Sequence, residues 1–312
     1  MKTKRTYKRD LKTIIKKFFM GNQISDSIFS KIMIYTLLIS IGFLYLYPIL
    51  YMLSNSLKSQ ADIVNPMVNW VPMRLYLGNY QRSFQVLNYF PTLFKSLLIT
   101  LLPALLQTLV TAFIGYGFAK YNFKLKKMWF VLVLLTFVIP SQVYMIPRYV
   151  MFFEFKLLES PLAIILPALF GQGINSAIFV LIFYQFFRMI PYSINEAAEI
   201  DGAGPYYIFF RINVPLAIPA FITAFLFGLV WHWNETYISS LFLGTQYPNL
   251  QFRLASFVSE YEREFASESL MRINEGVRLA ATLLIILPML IVYFAIQRWF
   301  VEGVEKTGIT GE

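Results

Sequence analysis

An all-α, multi-pass membrane protein is the fold class this sequence predicts, and three observations predict it. Of its 312 residues, 57% are hydrophobic and only 14% charged, with a mean hydropathy of +0.58. A soluble domain needs more charge to cover its surface, so lipid is the solvent for most of the chain. Six windows free of Asp, Glu, Lys and Arg follow one another, at residues 32–53, 96–119, 128–147, 160–187, 212–234 and 279–297. Each comes close to or exceeds the roughly 20 apolar residues that one helical crossing requires. Barrel strands would be shorter and would alternate apolar with polar positions.

The first window follows a basic segment, as a signal peptide would. Its apolar run of 22 residues exceeds the usual signal core of about 7–15 residues, and no small-x-small cleavage site follows, so it reads as a retained helix. Residues 1–31 hold nine of the 27 Lys and Arg. That accounts for much of the net charge of +10 as a cytoplasmic anchor drawn to anionic lipid, not a nucleic-acid surface. With that segment inside, six spans place both termini, the 120–127 loop and the 188–215 connection in the cytoplasm. Seventeen Lys and Arg then lie inside and ten outside, and the bias rests mainly on the N-terminal segment. The outer loops are 54–95, 148–159 and 238–278. The first contains "NPMVNWVPMRLYLGNY", with the Pro, Asn and aromatic content of ordered non-helical structure, and the third has helix formers enough for a short helix. The span domain covers 32–299, and 300–312 is a cytoplasmic tail.

The chemistry-bearing inventory is thin. There is no Cys and a single histidine, His232, so no thiol nucleophile, disulfide or protein metal centre is expected, and no catalytic residue is assigned. No G-x-x-x-x-G-K-[ST] loop occurs, so the chain should hold no nucleotide. The glycines of "GAG" at 202–204 lack the third glycine and the preceding strand of a dinucleotide fingerprint.

One connection stands apart from this apolar background: "NEAAEIDGAGPYYIFFRINVP", residues 195–215. Pro191 and Ser193 are start signals for a short helix, and Glu196, Ala197 and Ala198 should begin it, with acids favoured in its first turn. Gly202 and Gly204 should break it, and Pro205 can open a second helix at its first position. Pro215 should mark the beginning of the fifth span. The expected product is a helix–turn–helix at the cytoplasmic surface, its carboxylates and small alanines shaped for a soluble partner's groove.

This segment also resembles a family signature. Permease subunits of ATP-binding-cassette (ABC) importers carry EAA, three residues, Gly, nine residues, then I-x-L-P. Here Glu196-Ala197-Ala198, Gly202 and Ile212-Asn213-Val214-Pro215 fall at those spacings, with Val214 replacing only the Leu. "LYLYPILYMLSNSLKS" at 44–59, "FFRMIP" at 186–191 and "QRWFVEGVEKTGITGE" at 297–312 look like the sugar-importer branch, and the chain is similar to its maltose-permease G-subunit type. The resemblance implies a six-helix type I ABC importer transmembrane domain, the MetI-like fold. It implies a coupling helix in which Glu196, Ala197, Ala198, Asp201, Gly202, Ile212 and Pro215 dock the ATPase. The implied partners are a second permease subunit, two copies of a cytoplasmic ABC ATPase that use ATP and Mg, and an extracytoplasmic solute-binding protein. The implied cargo is a carbohydrate, preferably an oligosaccharide, and the implied location is the cell membrane.

Candidate pathway residues are fewer. "GQGIN" at 171–175 interrupts the fourth window, and broken helices at membrane depth line cavities or sit buried in protein. Gln172 and Asn175 are therefore candidates, unless the break only shapes the helix near the outer surface. "WHWNETY" at 231–237 offers Trp231, Trp233, Asn234 and Tyr237, which suit a sugar's apolar faces and hydroxyl edges and equally suit an interfacial aromatic belt. Pro103, Pro140, Pro167, Pro219 and Pro288 lie within windows, where each can kink its helix. The competing classes are an importer for amino acids or peptides and an ion-coupled secondary transporter. The latter usually carries ionisable groups inside its spans, which these windows lack, and internal repeats, of which none is evident.

Overall fold

The computed structural model describes residues 28–266 and 273–308. The N-terminal basic residues 1–27, the 267–272 part of the third outer loop and the final "TGE" with the Ile before it (309–312) lie outside those ranges. The described chain is helical, without strands. It divides into two compact units, residues 1–79 with 274–280, and 80–273 with 281–312.

The first unit is dominated by α1 (Ile28–Ser56), which contains Pro48 and covers the first apolar window. None of its apolar stretch is buried within the chain, as expected of a helix that is hydrophobic all round and faces lipid or another chain. After it come α2 (Gln60–Val64) and an ordered non-helical stretch. Lys58 is buried there, and its ammonium donates to Asn55 Oδ1 (2.8 Å), Val68 O (3.3 Å) and Asn69 O (2.6 Å). A buried charge survives only with such partners; these hold the chain between α1 and residue 69 in one course. The buried amide of Asn79 donates to Ser56 O and Lys58 O at 2.9 and 2.8 Å.

The expected non-helical stretch, residues 65–80, is non-helical up to residue 77. α3 spans Gly78–Leu87 and α4 spans Tyr89–Lys120, so the second long helix starts seven residues before its uncharged window. Lys95 lies on the helix and had ended that window from the sequence side.

In the second unit α4 is the central post, packed by α8 (Ser176–Met189) and α12 (Ile218–Asn234). Small residues let these backbones approach. A Cβ on Gly115 would lie 2.6 Å from Phe183 Cβ and 2.9 Å from Tyr184 N, and one on Gly228 would lie 3.3 Å from Ala104 Cβ. Ala104, Ala112 and Ala224 are fully buried on the same seams. Between helices in lipid, where apolar burial supplies little drive, such close van der Waals packing is the main cohesive term.

α5 (Lys126–Val138) and α6 (Ser141–Glu154) meet at a 95° bend. α7 (Leu162–Leu169) and α8 are separated by the 170–175 break, and α8 meets α9 (Tyr192–Ile200) at 70°. α10 (Pro205–Tyr207), a π-helical turn (Ile208–Asn213) and α11 (Val214–Leu216) form a second arm that meets α12 at 77°. Two of these bends have one cause. Ile139 and Ile190, at ψ 118° and 121°, precede Pro140 and Pro191, and proline's ring drives the residue before it out of the helical region. Pro103 and Pro288, by contrast, sit inside unbroken helices.

By length and composition three helices among the described residues can cross a membrane, or up to six when each bent pair counts as one span. Two boundaries move relative to the sequence reading. α6 carries the third window through Glu154, so half of the expected 148–159 loop is helix. Residues 212–216 of the fifth window belong to the arm before the bend, so α12 begins at Ile218 and not at Pro215.

In the described part of the segment expected as the third outer loop lie α13 (Tyr237–Leu243), α14 (Leu250–Ala255) and α15 (Phe257–Glu264). Asn249 caps α14 by accepting from Phe252 N at 2.7 Å, and Leu250 N donates to Ser96 Oγ at 2.8 Å. α16 (Glu275–Gly308) closes the chain. It takes in the last apolar window and the first residues of the expected tail.

Candidate functional site

Two places in the second unit draw the sequence-predicted residues together: the paired arms around residues 192–216 and a cavity beside the 170–175 break.

The first arm is α9. It starts at Tyr192, with Pro191 at its N-cap, so Glu196 sits mid-helix and not in the first turn as the sequence suggested. The helix-dipole argument for the acids therefore fails at Glu196; its place is set by which face it presents. Glu196, Ala197 and Asp201 are exposed and Ala198 is half-buried. At the end of the arm, Asp201 N donates to Ala197 O at 3.1 Å and Gly202 N to Glu199 O at 3.0 Å. Gly202 takes φ +83°, a left-handed conformation that glycine reaches without steric cost. Pro205 then opens α10 at its first turn, as expected.

What joins the arms was not singled out from sequence. Asn195 and Asn213 are both buried. The Asn213 amide donates to Asn195 Oδ1 (3.1 Å), Ile208 O (3.1 Å) and the Tyr116 hydroxyl (3.5 Å). One side chain thus ties the first arm, the second arm and α4. The π-turn makes this possible, because its wider winding brings Asn213 round to the same side as buried Ile208 and Phe209. Beneath lies an aromatic bed: Phe209 meets Tyr116 at 4.8 Å and Phe113 at 4.5 Å between ring centroids, and Tyr116 meets Phe187 at 5.2 Å. Lys120 Nζ donates to Ile190 O at 2.7 Å, securing the α8–α9 bend. Both asparagines stand in the quoted motif. Their signal was a polar residue on the inward side of an amphipathic arm.

The outer face of the arms is apolar and acidic. Ile200 is 86% exposed and Tyr206 78%, with Tyr207 and Phe210 also exposed. Glu196, Glu199 and Asp201 are exposed on the first arm and Arg211 on the second. Exposed apolar patches of this kind mark contacts with a protein or a membrane. Ile212 is half-buried, and Pro215 is exposed in α11.

The cavity, open on one side, has a volume of about 610 Å³ between α5, α6 and the start of α8. Thr136, Gln142, Tyr144, Arg148, Gln172 and Asn175 supply its polar lining. Gln172 and Asn175 are exposed into the break, and Asn175 adopts a left-handed φ of +55°. The other four pathway candidates are elsewhere. Trp231 stacks on Phe179 and Phe227, with centroids 5.1 and 5.8 Å away. Trp233 is buried, Asn234 donates to Val230 O of its own helix, and Tyr237 is exposed at the start of α13. Arg148, which the sequence reading assigned to an outer loop, faces the cavity from the middle of α6.

An all-α bundle of apolar helices around small-residue seams, carrying a two-armed surface unit at a tight EAA–Gly spacing, is the architecture of a membrane permease subunit. Residues 107–306 match the family described as binding-protein-dependent transport system inner membrane component; the chain belongs to that family. It is 29% identical over 275 residues to the arabinooligosaccharides transport system permease protein AraQ of Bacillus subtilis, covering 87% of this chain and 92% of that one. It is 28% identical to the lactose transport system permease protein LacG of Rhizobium radiobacter, covering 86% and 93%. Its fold is similar to a chain in the crystal structure of a bacterial ABC transporter involved in the import of the acidic polysaccharide alginate, with TM-score 0.75 and 24% identity over 89% of this chain and 98% of that one.

Proposed function

We propose that this chain is one of two permease subunits of an ABC importer that brings a carbohydrate, an oligosaccharide, into the cell. Its 192–216 arms seat in a cytoplasmic ATPase. The observation that carries the coupling role is the Asn195–Asn213 tie, which makes the two arms one stiff unit with an exposed apolar and acidic face. When two ATPase copies close on ATP and Mg, that unit transmits the displacement through Phe209 and Tyr116 into α4. A floppy loop could not carry force into the spans. The ATPases hold the nucleotide, a second permease completes the corridor, and an extracytoplasmic binding protein delivers the cargo. Both termini are assigned to the cytoplasm; residues 1–27 and 309–312 lie outside the described ranges. The carbohydrate cargo is supported by the relatives that carry arabino-oligosaccharides and lactose.

Charge reversal at Glu196 tests the coupling. In the purified complex, Glu196→Lys should weaken ATPase co-purification or break the proportion between solute uptake and ATP turnover. Uptake and turnover that stay tied as in the parent complex would overturn the assignment. Uptake of amino acids or peptides with no saccharide uptake would overturn the cargo.

A further inference from the structure

Arg148 is the unexplained charge of the second unit. It lies midway along α6, within a bent helix pair apolar enough to be a span, and ionisable groups at such positions are costly and mark sites. It lines the 610 Å³ cavity, a neighbouring one of about 280 Å³ and the narrow space between them and His232, and Gln172 lines all three. Its guanidinium stands 4.8 Å from the Tyr144 ring centroid. Among the described residues no carboxylate forms an ion pair with it. Glu235 borders the narrow space as well, but its carboxylate accepts from Ile238 N at 2.6 Å.

We propose that the cavity is a saccharide site and that Arg148 pairs with an acidic group on the sugar, a carboxylate or a sulfonate. This rests on the carbohydrate reading above. The lining supplies what such a ligand needs. Tyr144 and Phe137 offer faces for a pyranose ring, and Gln142, Gln172 and Asn175 offer amides for its hydroxyls. Arg148 offers a planar fork that meets two anionic oxygens at once. A volume of about 610 Å³ falls inside the range of about 300–1,000 Å³ usual for small-ligand sites. A guanidinium with no carboxylate partner at membrane depth is costly, so an anionic cargo gains there what a neutral one cannot.

The complete importer, reconstituted in vesicles of zwitterionic lipid, is offered a digest of acidic polysaccharides and a digest of neutral ones, and internalised sugars are identified by mass spectrometry. Acidic saccharides should enter. Arg148→Gln should cut their uptake about tenfold or more, through loss of the bidentate charge-assisted pair. Arg148→Lys should retain part of it, with both variants still co-purifying with the ATPase and the second permease. Entry of neutral sugars with acidic ones excluded would overturn the proposal and leave the carbohydrate importer standing; entry of neither would remove both. Acidic uptake unchanged by Arg148→Gln also overturns it. So does an effect seen only when anionic lipid is added, which assigns Arg148 to a lipid headgroup, or loss of the second permease from the complex, which assigns it to the subunit interface.

Discussion

The Gln107 amide and the His232 imidazole meet in the buried centre of the second unit, Oε1 to Nε2, at 2.9 Å. Gln107 Nε2 donates to Ile174 O at 2.6 Å. The amide nitrogen thus faces the carbonyl and its oxygen faces the ring, so His232 donates through Nε2. One fully buried side chain holds α4, α12 and the break before α8 together. His232 is therefore a packing group with a defined partner, which answers why a lone histidine sits in an apolar helix.

Gln107→Leu should leave Ile174 O and His232 Nε2 without partners. The expected cost is about 1–3 kcal/mol, read as a lower thermal midpoint of the detergent-purified permease. His232→Gln, which keeps a donor for Gln107 Oε1 and leaves the Ile174 bond in place, should cost less than Gln107→Leu. Equal midpoints for parent and Gln107→Leu would show that the contact contributes nothing.

Gly202 separates backbone from bulk. An added Cβ there meets nothing within 4 Å, yet φ is +83°. Gly202→Asn should therefore keep uptake near the parent level, because asparagine tolerates the left-handed region. Gly202→Val should strain the turn by roughly 1–2 kcal/mol and loosen the proportion between ATP hydrolysed and solute moved. Equal behaviour of the two variants would mean that the partner's shape, not the turn, sets the constraint.

Asn213→Leu removes the tie between the arms and leaves Asn195 Oδ1 without that donor in a buried setting. About 1–3 kcal/mol of local stability should go. Limited proteolysis near residues 200–204 should quicken in the isolated permease, while α4–α8 packing stays intact. Unchanged cleavage would argue that the aromatic bed alone holds the arms.

Gly115→Ala tests the α4–α8 seam. With Phe183 Cβ 2.6 Å away and backbone at 2.9 Å, the helices must part, at about 1–3 kcal/mol for such overpacking. Gly117→Ala, where a Cβ meets nothing within 4 Å, should be neutral. Folded yield of the two variants in membranes provides the comparison.

Much of the fold was legible because burial in lipid writes itself into composition. Uncharged windows, the EAA–Gly spacing, the 171–175 interruption and Pro205 at a helix start are one-dimensional signals, each tied to a local physical rule. The helix boundaries were less legible. Lys95 and Arg148 ended windows by their charge, yet both lie on helices, because a helix continues wherever its backbone is satisfied. Gln172 and Asn175 were placed together because they are neighbours in the break. Trp231, Trp233, Asn234 and Tyr237 were not separable, since an aromatic side chain's neighbours, not its type, decide between core, interface and cavity.

The sequence by itself determined that the chain is a membrane helix bundle with an acidic, glycine-broken connection between its fourth and fifth apolar windows, because hydropathy and backbone punctuation are properties of short segments. Only the tertiary structure decided that Asn213 holds Asn195, that Gln107 holds His232 and that Arg148 faces a cavity with no carboxylate paired to it among the described residues. Those are relations between residues 18, 125 and tens of positions apart, and distance along a chain carries no record of which polar groups burial will force to meet.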